Sequence, residues 1–289
     1  MSFITKINLA MLMVFIIGLS VAGYIANMIL QENAKREVVM QASIMMEGAL
    51  AIRNYTITEI KPLLIEQLEQ TFLPQTVPSY AATQNFNRLR KTHPEFIYKE
   101  AALNPTNPRN RAVDWESDII QQFRNNTELK EIIGERNTPT GPSLFLARPM
   151  QINDASCLNC HSTLDEAPEP LKTLYGTTNG YGWKLNEIVG SQIVSVPLSV
   201  PLNNANYVFN VFIFSLASIF VLIFVIINIL LRIFVIRPVH RITVIADEIS
   251  KSGSSKGEFQ IKGNDDIAKL SQSFNRMRRS LEKAMEMLK

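Results

Sequence analysis

The stretch Ser156-Cys157-Leu158-Asn159-Cys160-His161-Ser162 holds the only two cysteines of a 289-residue chain, with a histidine directly after the second. Two thiols at this spacing share one face of a tight turn, so each can add to one vinyl group of a single porphyrin. The adjoining imidazole then lies over the iron as proximal ligand. The pattern therefore points to one covalently attached haem c on Cys157, Cys160 and His161. A redox or structural disulfide competes for the pair, but that motif normally opens a helix in a thioredoxin-like frame, and no such frame surrounds it. A zinc site also competes, and would need His93 or a carboxylate as its fourth ligand.

The second axial position stays open between Met46, Met45, His93, Met150 and no protein ligand at all, with Met46 placed first for its position on a long helix. Arg148 is a candidate partner for a haem propionate. Downstream, Tyr175, Tyr181 and Trp183 alternate with Gly176, Gly180 and Gly182. Backbone in such a loop can approach something flat closely, which makes the three aromatic residues candidates for a pocket wall.

Outward from this site the chain is bounded by two apolar runs. Ile7–Leu30 carries no charge and would reach roughly 36 Å as a helix. That is too long for the core of a signal peptide and fits a retained span. Tyr207–Ile236 is charged only at Arg232 and predicts a second span. Beyond it, residues 232–289 hold twelve Lys and Arg against seven Asp and Glu, whereas residues 32–206 hold sixteen against nineteen. The excess of positive charge places both termini in the cytoplasm and residues 32–206 outside, in a cell membrane and in contact with its lipid. Haem attachment of this type takes place on that same outer side. With 46% apolar and 19% charged residues, the composition excludes a disordered chain, a collagen and a small disulfide scaffold. A net charge of +3 gives no whole-chain case for nucleic acid.

Residues 32–206 predict an α+β domain. One long helix runs from Asn33 to about Phe72, interrupted or kinked near Pro62, with Val38, Ala42, Met45, Met46, Ala49, Ile52 and Tyr55 on one face. Helices are also expected over 79–91 and 115–125, and strands over 96–103, 129–133, 143–152 and 191–200. No phosphate-binding glycine loop appears, and no acid–base pair accompanies the cysteine site, so no enzymatic activity is expected.

The tail, residues 237–289, starts with Arg237-Pro238 and an apolar stripe of Val239, Ile242, Ile245, Ala246 and Ile249. A polar linker with Gly253, Gly257 and Phe259 follows. Ile267, Leu270, Phe274, Met277, Leu281, Ala284 and Leu288 then repeat at alternating three- and four-residue steps. Such a seam needs partners, and two helices of this kind in each of two chains make a parallel four-helix bundle. With Pro238, Asp265-Asp266 and Ser273-Phe274-Asn275-Arg276-Met277, the tail resembles the HAMP linker of transmembrane receptors. Ala268 stands where that family usually has glycine.

The external part resembles a family of PAS-like sensor domains with a single c-type haem. The resemblance rests on Ile57–Pro62, Tyr98–Ala101, Asn104–Arg111, Trp115-Glu116, Leu146–Pro149, Cys157–Ser162 and Tyr175–Trp183. It implies a homodimeric signal transducer that senses redox state or a diatomic ligand through its haem. No kinase or cyclase segment follows the linker, so the expected output is a separate cytoplasmic protein such as a histidine kinase. The competing reading is a membrane-anchored cytochrome that transfers electrons.

Overall fold

The computed structural model describes residues 3–68, 70–139, 141–252 and 265–287. Its contacts divide the chain into two units, Tyr24–Phe209 and the discontinuous pair Met1–Gly23 with Asn210–Lys289.

No proline interrupts the first 61 residues, and α1 (Phe3–Tyr55) runs unbroken through the first apolar run. It gives way to a π-helical turn at Thr56–Ile60, then to the short helices α2 (Lys61–Leu63) and α3 (Ile65–Leu68). The interruption expected near Pro62 thus takes the form of a π turn followed by two short helices. Pro62 has no N–H to donate and its ring crowds the carbonyl four residues back, so the backbone widens just before it. The Lys61 N–H accordingly reaches the Thr56 carbonyl, five residues back.

The helix α4 (Pro78–Leu89) precedes strand β1 (Ile97–Ala102), and α5 (Asp114–Asn125) precedes β2 (Ile132–Thr138) and β3 (Gly141–Gln151). After β3 come α6 (Leu158–His161), α7 (Glu169–Tyr175) and β4 (Ile188–Pro197). The sheet is antiparallel in the order β1-β4-β3-β2, so the last strand inserts between the first and third. β2 begins and ends later than the 129–133 segment expected. Its polar Glu135-Arg136-Asn137 hides it from a hydrophobicity reading, and its existence rests on the ladder to β3, from Ile132↔Ala147 to Thr138↔Gly141.

Side chains alternate across the strands and build two apolar layers. On one face Val38, Ala42, Met46 and Ala49 of α1, with Ala82 and Phe86 of α4, pack on Tyr98, Leu144, Leu146, Val194 and Val196. On the other, Ile119, Ile120 and Phe123 of α5 pack on Ala101, Ala147 and Ile193. The Glu116 carboxylate caps the start of α5 by accepting from the Val113 N–H at 3.0 Å, and it accepts from Lys99 Nζ at 2.6 Å. This ties α5 to its strand.

In the other unit, the first part of α1 lies beside α8 (Ser199–Leu231), with Phe15 and Phe220 stacked at 4.9 Å. Both helices are long and apolar enough to cross a membrane, and they leave side chains such as Val14 (65%) and Phe214 (73%) exposed. A second π-helical turn, Arg232–Ile236, follows α8, and α9 (Arg237–Ser252) carries Pro238 at its start. The Asp265 carboxylate accepts from the Ala268 N–H at 2.7 Å and caps α10 (Asp266–Met287). Ala268, Ser271 and Asn275 on α10 and Ile242 on α9 are buried, while Leu270, Met277 and Leu281 on the expected seam are about half exposed. The linker glycines 253 and 257, Phe259 and Leu288 lie outside the described residues.

Candidate functional site

The cysteine motif sits in the long connection between β3 and β4. Gln151 still pairs with Ile188, and the Ile152 N–H donates to the Glu187 carbonyl, so the connection leaves and rejoins the sheet at one end of its two central strands. Asp154 starts the turn, its side chain accepting from the Ser156 N–H at 2.8 Å, and a 3-10 turn at Ala155–Cys157 leads into α6. Cys157 and Cys160 are therefore three residues apart on one helical turn, the spacing that sets side chains on the same face. Both are free, half-buried thiols. Burial pushes both pKa values up; for Cys157, Asp154 adds to this while Arg53 and Lys61 oppose it. Lys61 opposes it at Cys160 too.

His161 ends the turn and is gripped from two sides. Its Nδ1 lies 2.7 Å from the Gly180 carbonyl oxygen. A carbonyl only accepts, so Nδ1 carries the proton and Nε2 presents a free lone pair. Trp183 stacks on the imidazole at 3.9 Å with the rings 14° apart. Burial lowers the histidine pKa and favours the neutral, ligating form, while the bond to Gly180 opposes that shift.

The loop carrying Gly180 is stitched to the motif and to the connection after β1. The Trp183 N–H donates to the His161 carbonyl at 3.0 Å and the Gly182 N–H to the Ser162 carbonyl at 2.6 Å. Asn104 brackets the next peptide: its Oδ1 accepts from the Gly180 N–H and its Nδ2 donates to the Tyr181 carbonyl, each at 3.2 Å. Gly180 has φ +90°, and a Cβ there would fall 2.1 Å from Thr106 Oγ1. Only glycine fits that position, on backbone and on space.

Facing the motif from the helical side is a buried ionic cluster. Arg53 Nη1 donates to both Glu100 oxygens at 2.7 and 2.6 Å, and the Tyr98 hydroxyl donates to Glu100 at 2.6 Å. Glu100 is 1% exposed. Burial works against the Arg53 charge, but Glu100 and Tyr98 hold its pKa above the ordinary value; burial and Glu100 push the Tyr98 hydroxyl far up. A groove of about 480 Å³ lies between Lys61, Ile65 and Leu68 and the segment Pro168–Pro170 that follows the motif.

The sequence-derived candidates divide. Cys157, Cys160, His161 and Trp183 converge. The Tyr181 backbone joins them through Asn104, while its hydroxyl donates to the Gly176 carbonyl at 2.9 Å. Tyr175 stands edge-on to Phe72 at 5.9 Å. Arg148 does not reach the motif: it bridges Glu47 of α1 and Glu131 at 2.6 and 2.9 Å, since strand alternation and two nearby carboxylates hold it there. Met46 is fully buried in the apolar layer under α1, two turns before Arg53, the α1 residue whose charge reaches Cys157. Its periodicity with Val38 and Ala42 marks core packing. Met45 packs at the edge of the same layer, Met150 lies against Gly190, and His93 sits 3.5 Å from Glu95 on the turn after α4. Among the described residues, no group of three or more His, Cys, Asp and Glu side chains is placed so that it could hold a metal ion. Asn104, Thr106 and Arg53 are not among the sequence-derived candidates, although the first two fall in Asn104–Arg111, a segment that carries the family resemblance.

No curated protein matches the chain. A solved structure titled "Crystal structure of the cyanobacterial heme-protein Tll0287" aligns at 17% identity with a TM-score of 0.43, covering 56% of this chain and 95% of that one. The Tll0287-like family model matches residues 31–197, and the HAMP domain model matches residues 230–283. The match across the sheet unit and its cysteine–histidine loop shows that the chain belongs to the Tll0287-like family, with a HAMP domain after it.

Proposed function

We propose that the chain is a transmembrane signal transducer carrying one c-type haem. Cys157 and Cys160 hold the haem by thioethers, His161 is its proximal ligand, and residues 32–206 face outward. The observation that carries the reading is the state of His161: a part-buried neutral imidazole whose Nδ1 is taken by Gly180 and whose Nε2 is free, within one turn of two free thiols. A metal-binding histidine ordinarily has its other nitrogen tied in this way. The groove beside Lys61 and the positive side chains of Arg53 and Lys61 suit a flat, anionic cofactor.

Bound there, the haem supplies a one-electron couple or a coordination position for a small ligand. The residues of the chain do the rest. His161 would hold the iron through Nε2, and Trp183 fixes its ring plane. Arg53 and Lys61 meet any change of charge at the site, and Arg53 is already committed to Glu100 on β1, so such a change alters the attachment of α1 to the sheet. β4 runs from the base of the site loop to Pro197 and leads directly into α8. Both helices that continue into apolar segments therefore touch the site or its supporting strand. The HAMP domain, dimerised through the α10 seam, takes one of two packings and presents it to a separate cytoplasmic partner.

The test is spectroscopic. Purified full-length chain is expected to show haem c absorption that survives acid–acetone extraction, and Cys157→Ser/Cys160→Ser is expected to lose it. Spin labels on α9 should then report different distances in ferric and ferrous protein. Extractable haem, or none, would defeat the covalent reading, and unchanged distances with and without reductant or carbon monoxide would defeat the signalling one.

A further inference from the structure

We propose that Asn104 is a positioning residue for His161: by clamping the Gly180–Tyr181 segment it aims the Gly180 carbonyl at Nδ1 and so sets the tautomer and donor strength of the imidazole. The inference deepens the haem reading and, for its electrochemical part, rests on it.

The geometry is specific to one side chain. The Gly180 carbonyl lies between the two backbone atoms that Asn104 holds, the N–H of Gly180 and the carbonyl of Tyr181. With both pinned, little freedom remains in the peptide between them. Gly180 is further confined by Thr106, whose Oγ1 is 3.5 Å from His161 Nδ1 and whose Cα lies where a Cβ would have to go. Asn104 comes from the connection directly after β1, the strand bearing Tyr98 and Glu100. One strand thus supplies both the ionic cluster facing Cys157 and the clamp behind His161.

The chemistry follows from the direction of the bond. A firm Nδ1–H to carbonyl bond increases the electron donation of the imidazole through Nε2 and favours the higher oxidation state of a bound metal. Without the clamp the peptide is free to turn, the bond weakens, and Nδ1 and Nε2 compete for the proton.

Two measurements on full-length chain in detergent test this. In Cys157→Ser/Cys160→Ser protein, which cannot attach haem, nitrogen-15 shifts of the His161 ring are expected to show an almost pure Nδ1–H tautomer. Adding Asn104→Ala should give a mixture of both tautomers. Adding Asn104→Asp, which keeps the acceptor and loses the donor, should give an intermediate population. In the cysteine-intact chain, Asn104→Ala should raise the reduction midpoint. Arg111→Ala, which frees only the neighbouring Asn179 (3.0 Å), should leave it in place. Identical tautomers with and without Asn104, or an equal shift from Arg111→Ala, would overturn the proposal. A wild-type chain that purifies without haem would defeat the haem reading instead, and the tautomer measurement would still decide the role of Asn104.

Discussion

Glu100 and Arg53 form a pair whose worth depends on both members. Removing one leaves a charge buried under α1, a loss of about 3–5 kcal/mol, whereas replacing both with apolar groups is far less damaging. Arg53→Leu is therefore expected to lower stability more than Arg53→Leu/Glu100→Leu, read as midpoints of urea unfolding. A double variant no better than the single one would show that the pair is not coupled. Gly180→Ala should be costly for a different reason. It forces a side chain into φ +90° and into Thr106, a strain of about 1–3 kcal/mol, and it should reduce haem incorporation along with stability. At this scale the sequence was partly legible. The spacing alone puts Cys157 and Cys160 on one turn with His161 beside them, as the structure has them. The surroundings of Arg148 and Met46 were not legible, because a one-dimensional reading cannot tell which carboxylates lie beside an arginine, or which of several greasy residues faces the sheet. Asn104 was invisible as a site residue because its partners are backbone atoms 76 and 77 residues away.

The two π-helical turns end alike: Ile60-Lys61-Pro62 and Ile236-Arg237-Pro238. In each, the residue before the proline donates its N–H five residues back, to Thr56 or to Arg232. The shared cause is a proline that cannot donate and crowds the carbonyl four back. Pro238→Ala should let α8 continue into α9 as plain α-helix. Removing the one inserted residue rotates everything after it by about 100°. Disulfide trapping between two copies should show this: a cysteine at position 242 of the variant is expected to cross-link as one at position 243 does without the substitution, and an unchanged pattern would refute the account. Elements with strong periodicity, α4, α5, α9 and α10, were readable to within a few residues, and the kink at Pro62 was expected. Its form as a π turn was not, because periodicity cannot distinguish a bend from an extra residue in a turn. The bounds of β2 were misplaced for the opposite reason, since it is an edge strand defined by its partner.

On the scale of the whole molecule, α10 turns small and polar side chains toward its own chain and leaves Leu270, Met277 and Leu281 at 48%, 58% and 51% exposure. A second copy would cover them. Burying such a side chain contributes about 2 kcal/mol, so Leu270→Asp or Met277→Asp should weaken self-association by roughly 30-fold or more. Sedimentation in detergent measures it, and an unaltered dimer would mean that the seam lies elsewhere. The α+β class, the two apolar helices and the HAMP tail could all be read from the chain, because each is written in long-range periodicity or charge. The insertion of β4 between β1 and β3 could not, since strand order leaves no local trace. That insertion also makes β3 and β4 neighbours, with Gln151 opposite Ile188 at the foot of a 36-residue excursion. The part of the chain that would do chemistry is therefore an appendage on a hairpin, and the hairpin closes without it. Cut at those two residues and joined by a short turn, the sheet would retain every ladder, leaving a scaffold onto which a different receptor loop could be grafted.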